Sequence, residues 1–303
     1  MLEVPWTKSS SHYGKTAAAS RHKRYGRRLA LAATVVLVVV LLAYGLVSYH
    51  RFYHHVTVQE LSHEVKHTTF QATIRGGSPV TLQLYQQANA TNQSLVLMTS
   101  GDGGWSPFCA DIAAHIAATR MTVVGFNVKE YLVNFASSQK PVTPEELVRD
   151  YDEIIRASAA QQGVNSQARV ILAGWSLGAG YSILAAADPS LRDRVDRVVA
   201  ISLPVYNELA WKPTDALIYI THGTPREKVF DAHQYLTRLG SIHLVMLNAT
   251  DDDTAPLLQA QSLFNTATGP KHLYPVKASG HHFEGGEQEF YRDLDQGLSF
   301  DPT

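Results

Sequence analysis

The chain has 303 residues, 45% of them hydrophobic, and a formal net charge of −1, a length that allows one or two domains and a sizeable core. The near-zero total hides an asymmetry: residues 1–28 carry seven basic residues and one acidic, net +6, and the remainder is net −7. A mildly acidic main body argues against a nucleic-acid or anionic-surface binder, and the single cysteine, Cys109, excludes an internal disulfide and a paired-cysteine metal site.

The first segment, residues 1–28, is a basic tail in which Lys8, Lys15, Arg21, Lys23, Arg24, Arg27 and Arg28 face the single acid Glu3. Residues 29–48, Leu29 to Ser48, contain no charge and are rich in Leu, Val and Ala. Such a run, at about 1.5 Å per residue, spans the roughly 30 Å of a bilayer core. It predicts a transmembrane signal anchor with the basic tail in the cytoplasm and the rest exported. Tyr44, Tyr49, Phe52 and Tyr53 fall near the outer interface. A cleaved signal peptide is the rival reading. Against it, the apolar run exceeds a typical signal core and no A-x-A site follows. Residues 49–65 read as a juxtamembrane linker. His50, His54, His55, His63 and His67 cluster about it, as an irregular linker or as a metal- or pH-responsive patch.

Residues 66–300 form the main domain. His67 to Ile74 and Val80 to Tyr85 alternate and predict a hairpin at a sheet edge, turning at Gly76-Gly77-Ser78-Pro79. Ser94 to Thr99 is a short buried strand. Pro107 to Ala118 is a helix with Pro at its start, and it holds Cys109 as a small buried apolar residue. Met121 to Phe126 is a strand. Thr143 caps a helix that runs from Pro144 to about Gln162. Arg169 to Ala173 is a strand, Ala179 to Ala187 has helical composition, and Arg197 to Leu203 is a strand. Strands alternating with helices imply a mostly parallel sheet covered on both faces. Ala216 to Thr221 reads as an extra strand, Phe230 to Leu239 as a helix, Ile242 to Leu247 and His272 to Val276 as strands, and Glu287 to Leu298 as a last helix. Asn89, Asn92 and Asn248 stand in glycosylation sequons, a pattern frequent by chance.

Between the Arg169 strand and the Ala179 helix lies Gly174-Trp175-Ser176-Leu177-Gly178, a G-x-S-x-G in the strand–turn–helix context that presents a nucleophilic serine. A serine hydroxyl is a poor nucleophile at neutral pH and needs a base and a group that orients the base. On the α/β-hydrolase fold the chain order is serine, acid, histidine. Here Ser176 is followed by Asp251-Asp252-Asp253 after one strand and by His281-His282 after the last. Parallel strand ends gather on one edge, where active sites form. Asp252 stands four residues before Pro256, where many hydrolases of this fold carry the acid, with Asp251 and Asp253 as alternatives. His281 directly follows Gly280, the common setting of the histidine, with His282 as the alternative. Two N–H donors must hold the oxyanion. Leu177 N–H supplies one. The loop Gly101-Asp102-Gly103-Gly104 supplies the other, from Asp102 N–H or, alternatively, Gly103.

SGDGGW (Ser100 to Trp105), the Gly174–Gly178 turn and GHHF (Gly280 to Phe283) together resemble the VirJ/AcvB family of exported bacterial α/β-hydrolases, from about Ser94 to Leu298. SGDGGW is the most specific piece, since ordinary lipases carry HG-type sequences there. The chain departs from the family in the acid segment, with three Asp and no Cys where the family has an acid pair and a cysteine. The resemblance implies two functions. AcvB-like members hydrolyse aminoacylated phosphatidylglycerol, releasing lysine or alanine; VirJ-like members are associated with type IV secretion. The expectation is a serine esterase without cofactor or metal, tethered to the inner membrane with its catalytic domain in the periplasm. Its substrate would be a lipid headgroup ester, and secretion components are further partners. Other acyl esters, or a non-catalytic accessory role, are the alternatives.

Overall fold

The computed structural model describes residues 33–44, 65–90, 94–137, 139–164, 168–210 and 228–299. Contacts divide the chain into two units, Met1–His54 and His55–Thr303. In the first, residues 33–44 are helical (α1). The basic tail and the rest of the expected anchor lie outside the described residues. Among the described residues no helix is long and apolar enough to cross a membrane.

The second unit is built on an eight-stranded sheet in the order β1-β2-β4-β3-β5-β6-β9-β10. The first two strands, β1 (Val65–Ile74) and β2 (Ser78–Gln87), form the expected antiparallel edge hairpin. His67 belongs to β1, where it bonds Gln83 at 2.8 Å and stacks on Tyr85; the other histidines of that cluster lie outside the described residues. The remaining sheet strands are β3 (Ser94–Thr99), β4 (Thr122–Phe126), β5 (Arg169–Trp175), β6 (Val195–Ile201), β9 (His243–Asp251) and β10 (Lys271–Ser279), all mutually parallel. Their side chains divide by the period of two. Leu95, Leu97, Val170 and Leu172 enter one core; Val96, Met98, Ile171 and Ala173 enter the other.

Helices α2 (Pro107–Ala118) and α9 (Glu287–Ser299) cover the second core through Ile112, Ile116, Phe290 and Leu294. The first is covered by α3 (Val128–Phe135), α4 (Pro144–Gln162), α5 (Leu177–Ala186) and α8 (Leu257–Thr266). Local chemistry sets these helices. Thr143 and Glu146 form a reciprocal capping box at the start of α4, Pro144 takes its first position, and Gly163 ends it in the left-handed region. Ser106 caps α2, and Cys109 is buried within it.

The region after β6 departs from expectation. The helix expected over Phe230 to Leu239 is a short strand, β8 (Val229–Asp231), followed by the single turn α7 (Ala232–Leu236). The strand forms because β7 (Tyr206–Glu208) offers it an antiparallel partner, and Asp231 caps the turn by accepting the His233 N–H. A four-residue helix α6 (Pro189–Arg192) precedes β6. The extra strand expected at Ala216 to Thr221 lies outside the described residues. Asn248 is buried and donates to the Ala249 and Ala255 carbonyls, so its sequon cannot accept a glycan.

Candidate active site

The serine turn is built by close approach. A Cβ on Gly174 would overlap the Gly178 carbonyl, and one on Gly178 would overlap the Thr99 carbonyl of β3. Only glycine lets the start of α5 sit this close to β5 and β3. The turn between them holds Ser176 at φ 55° and ψ −123°, a region that L-residues rarely occupy. Ser176 N–H donates to Ile201 O at 2.9 Å and fixes the turn to the end of β6. Leu177, the first residue of α5, has one of the N–H groups that a helix leaves without an intrahelical acceptor.

The structure brings Asp252 and His281 together. His281 Nδ1 lies 2.9 Å from Asp252 Oδ2 and 3.1 Å from Oδ1. The acid is pinned from behind, because Oδ1 also accepts the N–H groups of Thr254 and Ala255 at 2.9 Å. Burial pushes the Asp252 carboxyl up, but the His281 hydrogen bond and charge, with the Ala255 N–H, outweigh it and hold the group below its ordinary range. The neighbours Asp251 and Asp253 are exposed and take no such bond.

His281 and His282 have different surroundings. His281 faces Asp252 with one nitrogen, and its Nε2 is buried with no partner among the described residues. His282 packs its ring 4.8 Å from Trp175 and 5.2 Å from Phe108, centroid to centroid. Two bonds hold the histidine turn in place. Trp175, just before Ser176, donates its indole N–H to His281 O at 3.1 Å, and Gly280 N–H donates to Asp251 O at 2.8 Å.

The glycine loop after β3 borders the serine. An added Cβ on Gly101 would lie 3.5 Å from Ser176 Cβ. The loop closes through a Gly101–Gly104 bridge, and Ser100 Oγ accepts the Val128 N–H from α3. Asp102 turns its carboxylate back over the loop, accepting the Gly103 N–H at 2.9 Å. Of the two expected second donors, Gly103 N–H is therefore covered by this side chain. Burial pushes the Asp102 carboxyl up to about 6, against the pull of His281, the two N–H groups and Lys129.

Sequence reasoning missed two positioning residues. Trp175 ties the serine and histidine turns together. Ser202, at φ 48° after β6, places a hydroxyl beside the Asp252 carboxylate without a formed hydrogen bond. It follows β6, whose last residue Ile201 pairs with Leu247 of β9, and its N–H donates to Leu247 O at 2.8 Å.

Among the described residues no group of three or more metal-ligating side chains occurs.

Comparison with curated proteins gave no match. Solved structures gave many. The DcsB complex with its substrate analogue is 13% identical with a TM-score of 0.57, covering 77% of this chain and 98% of that one. A dienelactone hydrolase from Anabaena variabilis is 16% identical with a TM-score of 0.55, covering 78% and 98%. Est1E from Butyrivibrio proteoclasticus is 11% identical with a TM-score of 0.52, covering 76% and 97%. At these identities the likeness shows the α/β-hydrolase fold. Residues 93–294, two thirds of the chain and all the site residues above, match the model of the bacterial virulence protein VirJ. The chain belongs to the VirJ family.

Proposed function

We propose that this protein is a serine hydrolase of carboxylic esters, anchored in the inner membrane with its catalytic domain in the periplasm. Its substrate is the aminoacyl ester of aminoacylated phosphatidylglycerol, alanyl or lysyl. Ser176 attacks the acyl carbon while His281 Nε2 takes its proton. Asp252 fixes the imidazole tautomer and stabilises the imidazolium. Leu177 N–H and a donor of the Asp102 loop hold the oxyanion. His281 then protonates the leaving glycerol oxygen, and water releases the amino acid by the same route in reverse.

The observation that carries this reading is the part-buried Asp252–His281 pair, bonded at 2.9 Å and tied through Trp175 to the strained Ser176 turn. Such an arrangement on this fold is the equipment of acyl transfer. The anchor reading rests on the uncharged run Leu29 to Ser48 behind a basic tail. A tether of that kind keeps the site within reach of headgroups.

A second reading, a non-catalytic accessory of secretion, is favoured by the virulence description of the matched family. A fluorophosphonate probe separates the two. The expected result is labelling of the wild type and none of Ser176→Ala; an unlabelled wild type sinks the enzyme reading. Membranes with and without active protein then identify the ester. Unchanged aminoacyl-phosphatidylglycerol levels would assign the enzyme to other acyl esters.

A further inference from the structure

Asp102 is the only acid in the loop Ser100 to Trp105 that borders Ser176. Among the described residues it forms no ion pair within 4 Å, and its carboxylate accepts the Gly103 N–H. The charged and titratable groups facing it are His281 from the turn after β10, Lys129 from α3 and Tyr181 from α5. A carboxylate in this position is a poor companion for acyl transfer. It opposes the negative charge that develops on the carbonyl oxygen, and it covers the Gly103 N–H, one of the donors expected to hold that oxygen.

A substrate cation would resolve both conflicts. In an aminoacyl ester the α-ammonium nitrogen is three covalent bonds from the carbonyl oxygen. An oxyanion held by the Asp102 loop therefore brings that ammonium within reach of the side chain on the same residue. Pairing with the ammonium draws the carboxylate off the backbone, frees the Gly103 N–H and cancels the repulsion. A plain acyl ester offers nothing to draw it away.

We propose that the Asp102 carboxylate is the receptor for the α-ammonium group of the substrate and sets a preference for aminoacyl over plain acyl esters. This deepens the hydrolase reading above and rests on it.

The test uses full-length protein in mixed micelles with phosphatidylglycerol carrying an alanyl, N-acetylalanyl or propionyl ester. At pH 7 the wild type is expected to favour the alanyl ester in kcat/KM by about 100-fold, since a site built for a polar group rejects analogues lacking it. Asp102→Asn is expected to shrink that ratio at least about tenfold. The wild-type ratio should also shrink on going from pH 7 to 5. Asp102 becomes protonated there, since its carboxyl stands at about 6, while the ammonium keeps its charge. Both esters use the same base, whose contribution cancels in the ratio, so this arm stands even if Asp102→Asn does not fold. A wild-type ratio near one, or a ratio that Asp102→Asn and acid both leave intact, overturns the proposal while the hydrolase reading survives. Failure to cleave any of the three esters overturns the hydrolase reading itself.

Discussion

Replacing Asp102 by Asn removes one charge and keeps the acceptor oxygen that holds the Gly103 N–H. The folded carboxyl stands at about 6 against 3.8 for the free group. A carboxyl raised in the fold binds its proton more tightly there than when unfolded. Its cost to stability is therefore absent below about pH 4, grows between about 4 and 6, and is complete above 6. The gap corresponds to about 2–3 kcal/mol at pH 8 and about 1 kcal/mol at pH 4.5. For a domain of this size, Asp102→Asn should raise Tm by about 5 °C or more at pH 8. Scanning calorimetry of both proteins at pH 8, 6 and 4.5 measures it. A lower Tm for the variant at pH 8, or a gain that does not shrink with acid, refutes the reasoning. The prediction is independent of substrate, and its direction is unusual for a loop residue: charge kept at a cost to the fold is a mark of functional sites.

The Ser176 backbone yields a second expectation. Ser176→Ala and Ser176→Gly both abolish labelling, but only glycine relaxes at φ 55°. The glycine variant should be the more stable by about 1 kcal/mol in denaturant unfolding; equal midpoints would show that the turn is unstrained. The two histidines separate by assay. His281→Ala should cost about 10⁴-fold or more in kcat. His282→Ala, which leaves a hole between Trp175 and Phe108, should cost about 2 kcal/mol of stability and little kcat per folded molecule. Equal losses of kcat would reverse the assignment.

The catalytic segments could be read from sequence because each sits where a strand must end. The period of two in Leu95 to Met98 and Val170 to Ala173 identifies two-sided burial, and a buried parallel strand brings its terminal loop to one edge of the sheet. The same logic located the Asp251–Asp253 and His281–His282 segments; the spacing to Pro256 and the preceding Gly280 chose Asp252 and His281, and the fold bonds them. What sequence could not show depends on partners distant along the chain. Phe230 sits in a helix-like pattern, yet β7 claims it as a strand. Helix α3 was missed because its apolar stripe, Val128, Tyr131 and Leu132, is short and its cap Asn127 follows directly on β4. That Asp102 would fold its carboxylate over its own loop is a side-chain choice that no residue pattern encodes.

The histidine turn stands on β10, which among the described residues is an edge strand paired only with β9 and backed by α9. Ser176 and Asp252 are both synthesised before it. A chain that has emerged only as far as Pro270 already has its nucleophile and its acid but no base. Hydrolytic power therefore arrives in a single late step, when the last strand docks and Gly280 bonds Asp251. Until β10 is in place, the proposed nucleophile Ser176 has no histidine to activate it.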